Sequence, residues 1–411
     1  MRVAVVQRIL PPYRLGPLGR ISELLRQEAP GSSLTVFHGD PGVPSGRVSN
    51  SFFERHDENH YGPGGLVFRR GLLSELPGRF DVVVCEFGLR LAFAPALMAA
   101  CRRRGTAFVW WGSGWEEWHE AGPGGLRALR RIWRAHLARS ADGIICYGHR
   151  AQRFYGRLGV PLERTAVAVN SLDTGTIELE RRRSEDRWGD RDHAKSARGF
   201  SGSSLFLFVG RLLDYKRADL FIDAVAACGS GDVRGVVIGD GPDRARLERL
   251  AKKNAPGRIH FEGAVHERGP MADWFRAADA LVLPGQAGLA VNDALAHGVP
   301  VIAGSEAGPE LEALEDGVNG LVVSDPKAES LARAMLRIRD DGEFRRRAEN
   351  NRGPRMDDMA RGFVSGVLRL GPKGLGRSEP TCAGSPPPGS EETGELMTTD
   401  RASQPARQGV A

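Results

Sequence analysis

At 411 residues the chain exceeds the comfortable size of one hydrophobic core, so two domains are expected, and 41% hydrophobic residues is ordinary for a globular protein. Its 57 basic and 51 acidic side chains leave a formal charge of +6, a modest excess that without an aromatic-basic motif makes no case for nucleic-acid binding. No apolar run reaches the length of a membrane-spanning helix, and Met1 to Val6 reads as a first strand, not a signal peptide. Cys85, Cys101, Cys146, Cys228 and Cys382 are scattered and odd in number, which argues against a disulfide framework or a zinc site. A cytoplasmic protein is the expectation.

In chain order, short apolar runs predict strands over Arg2 to Val6, Leu34 to His38, Asp81 to Cys85, Ala107 to Trp111, Gly143 to Tyr147 and Thr165 to Val169. Helical periodicity fills the intervals at Arg20 to Gln27, Ala94 to Arg103 and Leu126 to Ser140. Residues 1–175 therefore read as a doubly wound parallel sheet covered on both faces. Residues 176–202 turn to Arg, Glu, Asp, Ser and Gly, the composition of a polar linker or exposed excursion. A second doubly wound domain spans 203–345, helical stretches follow over 346–370, and the Pro, Gly, Ser, Thr and Glu content of 371–411 predicts a disordered tail.

The second domain carries the chemistry. Phe206 to Val209 is a buried strand that breaks into Gly210, placing Arg211 at its carboxyl end and Lys216 at the start of the next helix, where open α/β sheets bind ligands. Such a pair suits a diphosphate; the bland alternative is an ordinary turn with solvated cations. Val236 to Ile238 ends in Gly239-Asp240-Gly241-Pro242, whose glycines let backbone approach a ligand closely, before a helix from Asp243 to Lys253. Ala280 to Pro284 runs into Gly285-Gln286-Ala287-Gly288, a short helix closed by Gly298, and a strand from Val299 to Ala303. The helix start near Gly288 presents unpaired amides to an anion. Three strand ends converge on one crevice.

Taken together, Val209-Gly210-Arg211-Leu212 with Lys216-Arg217 and Asp219, Gly239-Asp240-Gly241-Pro242, Gly288-Leu289 through Gly298-Val299-Pro300-Val301-Ile302, Pro309-Glu310, and Asp316 to Val323 resemble the donor half of a family 4 glycosyltransferase. Gln7 to Arg14, Asp142 to Gly148 and Val169-Asn170 with Asp173 resemble its amino-terminal half more loosely, so about the first 345 residues are covered. The resemblance implies an α/β chain of GT-B fold, two doubly wound Rossmann-like domains facing each other across a cleft, with the last helices crossing back to the first domain. It implies a hexosyl- or glycosyltransferase that uses a nucleoside-diphosphate sugar as co-substrate, retains anomeric configuration and needs no metal or other cofactor. Cell-surface polysaccharide biosynthesis is the implied setting, and the acceptor is left open between a glycan, a lipid-linked saccharide and a small metabolite.

By the same resemblance Arg211 and Lys216 stabilise the departing diphosphate, and Gly210, Gly239, Gly241, Gly285, Gln286, Gly288, Leu289 and Asp293 line the donor site. Asp293 stands where the family has a glutamate for the ribose hydroxyls. The family's other glutamate, eight positions earlier, falls on Gly285, and Pro284-Gly285 resembles a branch with Pro-Gly there; Gln286 could hydrogen-bond the sugar instead. A GT-B shell that binds nucleotide sugars with attenuated catalysis is the alternative. His297, beside Gly298, reads as a dipole-pairing or packing residue.

On the acceptor side, the aromatics of Trp110-Trp111-Gly112-Ser113-Gly114-Trp115 either stack on a ligand or fill the core. Ser113 stands where the related branch commonly has histidine, and His119 is the nearest substitute. Pro11 and Pro12 stiffen a turn that aims Tyr13 and Arg14 into the cleft or packs on the surface, and Glu86 is an acceptor contact or a partner for Arg90. Leu126, Leu129, Trp133 and Leu137 form a stripe at helical spacing. The core face of a domain helix is the favoured reading, and a face resting on an anionic membrane the other. Neither domain has the Gly-x-Gly-x-x-Gly of a nicotinamide enzyme, and the Asp-x-Asp run, Asp190-Arg191-Asp192, falls in the polar segment.

Overall fold

The structure, a computed structural model, describes residues 1–39, 46–48, 51–55, 60–61, 66–114, 124–229 and 231–372. His119, Trp115, Cys382 and all but the first two residues of the expected tail lie outside the described residues. The strands of the first half are β1 (Arg2–Gln7), β2 (Ser33–His38), β3 (Gly46–Val48), β4 (Ser51–Arg55), β5 (His60–Tyr61), β6 (Val67–Phe68), β7 (Val82–Glu86), β8 (Ala107–Gly112), β9 (Gly143–Cys146) and β10 (Thr165–Val167). Eight of them form one sheet in the order β10-β9-β8-β7-β1-β2-β4-β3, parallel except for β3, while β5 and β6 pair with each other. Its helices are α1 (Leu15–Glu28), α2 (Leu72–Glu75), α3 (Ala94–Arg103), α4 (Gly124–Ser140) and α5 (His149–Arg157).

The period of two along each strand divides the core into two faces. Ala4, Val6, Val83, Cys85, Phe108, Trp110 and Ile144 pack on one side, and Val3, Val5, Val82, Val84, Val109, Trp111 and Ile145 on the other. Burial on both faces is why these strands read as unbroken apolar runs. Trp110 and Trp111 are fully buried, so these two aromatics belong to the core.

The second sheet contains β11 (Ser204–Val209), β12 (Val233–Ile238), β13 (Ile259–Gly263), β14 (Ala280–Leu283), β15 (Val301–Gly304) and β16 (Gly320–Val323), all parallel, in the order β13-β12-β11-β14-β15-β16. The remaining helices are α6 (Thr174–Trp188), α7 (Arg191–Ser196), α8 (Ala218–Ala227), α9 (Arg244–Asn254), α10 (Arg268–Ala277), α11 (Ala290–Ala296), α12 (Ala328–Asp340), α13 (Gly342–Asn350) and α14 (Met356–Leu370). The winding reverses between β1 and β7 in the first sheet and between β11 and β14 in the second, so each sheet opens a crevice at the carboxyl ends of those strands. Both sheets belong to one compact unit, Met1–Lys373.

The polar segment 176–202 is not a loose linker. It is helical through α6 and α7, which pack against α10. Charge does there what apolar burial does elsewhere: Arg187 and Arg198 reach Asp273 at 2.7 and 3.4 Å, and Arg191 and Lys195 reach Asp279 at 2.6 and 2.7 Å. Along α6, Glu178 accepts from Arg181 and Arg182 and also holds Arg352, and these cations pull its carboxyl down to about 2. Asp190 caps α7 through the amide of His193, so the Asp-x-Asp run serves a helix start.

Of the last two helices, α13, which already begins at Gly342, stays with the second sheet through Phe344. Only α14 returns to the first, where Met359, Phe363, Val364, Val367 and Leu370 join the core face of Val3 and Trp111. Gly362 and Gly366 permit this close approach, because a Cβ at Gly362 would strike the Val167 carbonyl and one at Gly366 would meet Ala166.

Candidate functional site

The reversal between β11 and β14 brings the Gly210 and Gly285 turns side by side. Leu213 leads into a single 3-10 turn, Asp214–Lys216, and Arg217 takes a left-handed conformation at φ 56° before α8 begins. This sharp turn presents Lys216 across the crevice, where its Nζ lies 3.4 Å from the Ala287 carbonyl beside Gly288. Burial lowers the Lys216 pKa, although Glu310 opposes the shift. Arg211 is exposed, and its guanidinium has no hydrogen bond or ion pair among the described residues. A fixed, half-buried ammonium and a free planar fork thus share one strand edge.

The glycines act differently from expectation. A Cβ at Gly239, whose φ is 145°, would collide with the Gly210 carbonyl; one at Gly241 would collide with Leu212, and one at Gly285 with the Tyr215 carbonyl and the Lys216 backbone. These three hold turn against turn, which fixes Arg211 and Lys216, so the approach they permit is between backbones of the chain itself. Gly210 has open space at its Cβ position, and a Cβ at Gly288 would lie 3.5 Å from the Lys216 ammonium. The backbone N–H of Gln286 donates to the Tyr215 carbonyl at 3.1 Å, tying the second turn to the first. Leu289 packs against Leu172 and Ile177. The helix behind this loop, α11, has seven residues and only a small dipole, so the cations carry more of the positive potential.

Asp293, on α11, is mostly buried and accepts from Arg268 of α10 at 3.0 Å. It is held by that cation, a partner the sequence did not point to. His297 donates its ring N–H to the Asp293 carbonyl at 2.8 Å and stacks on Phe275 at 4.7 Å; burial lowers its pKa, consistent with a packing residue.

At the first sheet's reversal, Arg14 is buried, lies 4.4 Å from the Trp111 ring and donates to the Tyr147 hydroxyl. Tyr13 is 36% exposed on the same short turn. Glu86 lies 3.8 Å from Arg8, and that contact, not one with Arg90, is its ion pair; burial raises its pKa. The fold therefore gathers Tyr13, Arg14 and Glu86 around Tyr147. Ser113 is half-buried just beyond β8.

Tyr147 also lines a narrow pocket with Asn170, Asn292, Pro309, Glu310 and Glu312, which joins the two halves. Asn292 donates to the Asn170 carbonyl at 2.7 Å. Glu312 receives the first amides of α5, His149 at 2.6 Å and Arg150 at 2.9 Å, a carboxylate from one domain capping a helix of the other. In the sequence Pro309-Glu310 carries no evident task, and Glu312 gives no sign of its distant partners. The available signal was two acids spaced by one residue directly after Gly308-Pro309.

Residues 203–341 match the family described as glycosyl transferases group 1. The match lies in the second half of the chain and takes in the second sheet. Every donor-side residue named above, from Gly210 to Asp293, falls within it. The chain is similar to a GDP-mannose-dependent alpha-(1-6)-phosphatidylinositol dimannoside mannosyltransferase of Mycobacterium tuberculosis, at 31% identity over 58% of this chain and 59% of the relative. It is also similar to a D-inositol 3-phosphate glycosyltransferase of Streptomyces griseus, at 36% identity over 34% of this chain and 32% of the relative. The chain thus spans 59% or less of the length of these relatives. Among solved structures, Anabaena HepE in complex with UDP superposes with a TM-score of 0.67 at 16% identity, covering 89% of this chain and 99% of that one. A sucrose-phosphate synthase of Thermosynechococcus elongatus gives 0.62 at 16% identity over 90% and 96%. At such identities the likeness shows the fold alone: an α/β chain of two doubly wound domains, GT-B.

Proposed function

We propose that the protein transfers a sugar from a nucleoside diphosphate to an acceptor hydroxyl, with retention of configuration and without a metal. The observation that carries this reading is the pairing of Arg211 and Lys216 at the β11 and β14 reversal inside the group 1 domain. As the glycosidic bond breaks, negative charge grows on the departing diphosphate. Arg211 offers a fork of donors to it and Lys216 a compact charge, both carried on turns held in place before the reaction begins. The names of the relatives support a nucleotide-sugar donor, and they favour transfer over a binding shell with attenuated catalysis.

The ribose hydroxyls are assigned to Asp293, sharing its carboxylate with Arg268. Acceptor binding is assigned to the first sheet's reversal at Tyr13, Arg14 and Glu86, with Ser113 beside it; the acceptor is a glycan, a lipid-linked saccharide or a small metabolite. Pairing of the two domains around the donor excludes water and suppresses its hydrolysis. Peripheral contact with an anionic membrane belongs to the same reading, through α4, where Leu129, Ile132 and Trp133 are exposed beside Arg130 and Arg131.

Release of nucleoside diphosphate from a panel of UDP-, GDP- and ADP-sugars tests the assignment. Arg211→Ala and Lys216→Ala should each lower turnover roughly a hundredfold or more, the scale on which a preorganised donor acts, with the circular dichroism spectrum unchanged. A folded double variant that turns over at the normal rate would refute it.

A further inference from the structure

The pocket that joins the two halves is rich in hydrogen-bond acceptors. Glu310 and Glu312 contribute carboxylates, and Asn292, 4% exposed, has committed its amide N–H to Asn170 while its oxygen has no partner. Unpaired buried acceptors call for donors, and sugar hydroxyls supply them. Glu310 and Lys216 act on each other electrostatically without reaching ion-pair distance, and apart from its own backbone amide the Glu310 carboxylate has no hydrogen-bond partner among the described residues, so it keeps capacity for a ligand.

Position 285, in contrast, cannot hold a side chain. Any Cβ there would enter the Tyr215 carbonyl and the Lys216 backbone, and the turn that fixes Lys216 depends on that contact. Position 285 thus supplies no carboxylate to the crevice, whereas the turn from Pro309 to Ala313 carries Glu310.

We propose that Glu310, with Asn292, binds the hydroxyls of the transferred sugar in place of the carboxylate missing at position 285, and that this sugar is a neutral hexosyl group. The proposal rests on the nucleotide-sugar reading above. Two carboxylates around the pocket disfavour an anionic sugar such as a uronic acid. The pocket is narrower than a hexose, so the domains part to admit the donor. Glu312 then yields the α5 amides and the Asn292 contact with Asn170 opens.

Isothermal titration of the full chain with UDP, GDP and ADP, and with UDP-glucose, GDP-mannose, ADP-glucose and UDP-glucuronic acid, separates the sugar contribution from that of the diphosphate. The expected result is that one neutral sugar nucleotide binds the wild-type chain more tightly than its bare diphosphate. Glu310→Gln should erase this advantage, roughly tenfold, as expected for charge-assisted hydrogen bonds, while bare diphosphate binds as well or better because Lys216 is less neutralised. Glu310→Asp should recover part of the advantage, which a purely structural role would not predict. A sugar advantage unchanged in Glu310→Gln, an advantage absent from the wild type, or a preference for the glucuronic acid would overturn the Glu310 assignment and leave the diphosphate site standing. If no nucleoside diphosphate binds the wild-type chain, the nucleotide-sugar reading falls and this proposal with it.

Discussion

Gly239 holds φ at 145°, a region open almost only to glycine, and its missing Cβ leaves room for the Gly210 carbonyl. The two turns that carry Arg211 and Lys216 are thus locked by backbone contacts. Gly239→Ala should cost roughly 2 kcal/mol of stability through backbone strain and collision, read as a lower urea midpoint. An unchanged midpoint would mean the turns are looser than their packing implies. The sequence pointed to the glycines but not to their use, because a close approach to a ligand and one to a neighbouring turn leave the same residue type. Asp293 was legible as a carboxylate on α11, whereas its partner Arg268 lies 25 positions away on another helix, beyond any local pattern.

At the level of elements, the parallel strands were the most legible part of the chain. Their apolar runs are long because both faces are covered, and β7, β8 and β9 begin within a residue of where the pattern puts them. Helices α6 and α7 were hidden, since a polar composition does not reveal ion pairs to Asp273 and Asp279 made more than 70 residues downstream. The stripe on α4 misled in another way. Helical spacing does not say which side is covered, and although Leu137 is buried, Leu129, Ile132 and Trp133 are 62%, 62% and 46% exposed, while Arg134, outside the stripe, is buried. The favoured expectation of a core face therefore fails over these turns. Exposed apolar residues beside Arg130 and Arg131 predict binding to vesicles containing anionic lipid that weakens as salt is raised. Trp133→Ala should reduce that binding, measured by co-sedimentation; equal binding to neutral vesicles, or none at low salt, would remove the membrane role.

Across the whole molecule, two crevices of the same topological origin meet at one pocket, with Tyr147 and Asn170 from the first sheet facing Asn292, Glu310 and Glu312 from the second. The second sheet's crevice was readable because its residues follow strand ends in sequence. The junction was not, because Glu312 and the amides of His149 and Arg150 are more than 160 positions apart. Helix α14 closes the architecture by returning to the first core, so the pairing of the domains is built into the chain. The central claim is that the Arg211 and Lys216 crevice takes the diphosphate of a sugar donor. Thermal unfolding of the wild type and of the Arg211→Ala, Lys216→Ala double variant in the presence of UDP-, GDP- and ADP-sugars tests it most directly, since a ligand bound only by the folded state raises the midpoint. The account predicts that at least one of these donors raises the wild-type midpoint and leaves that of the double variant unmoved; equal shifts in both proteins, or none in the wild type, would contradict it.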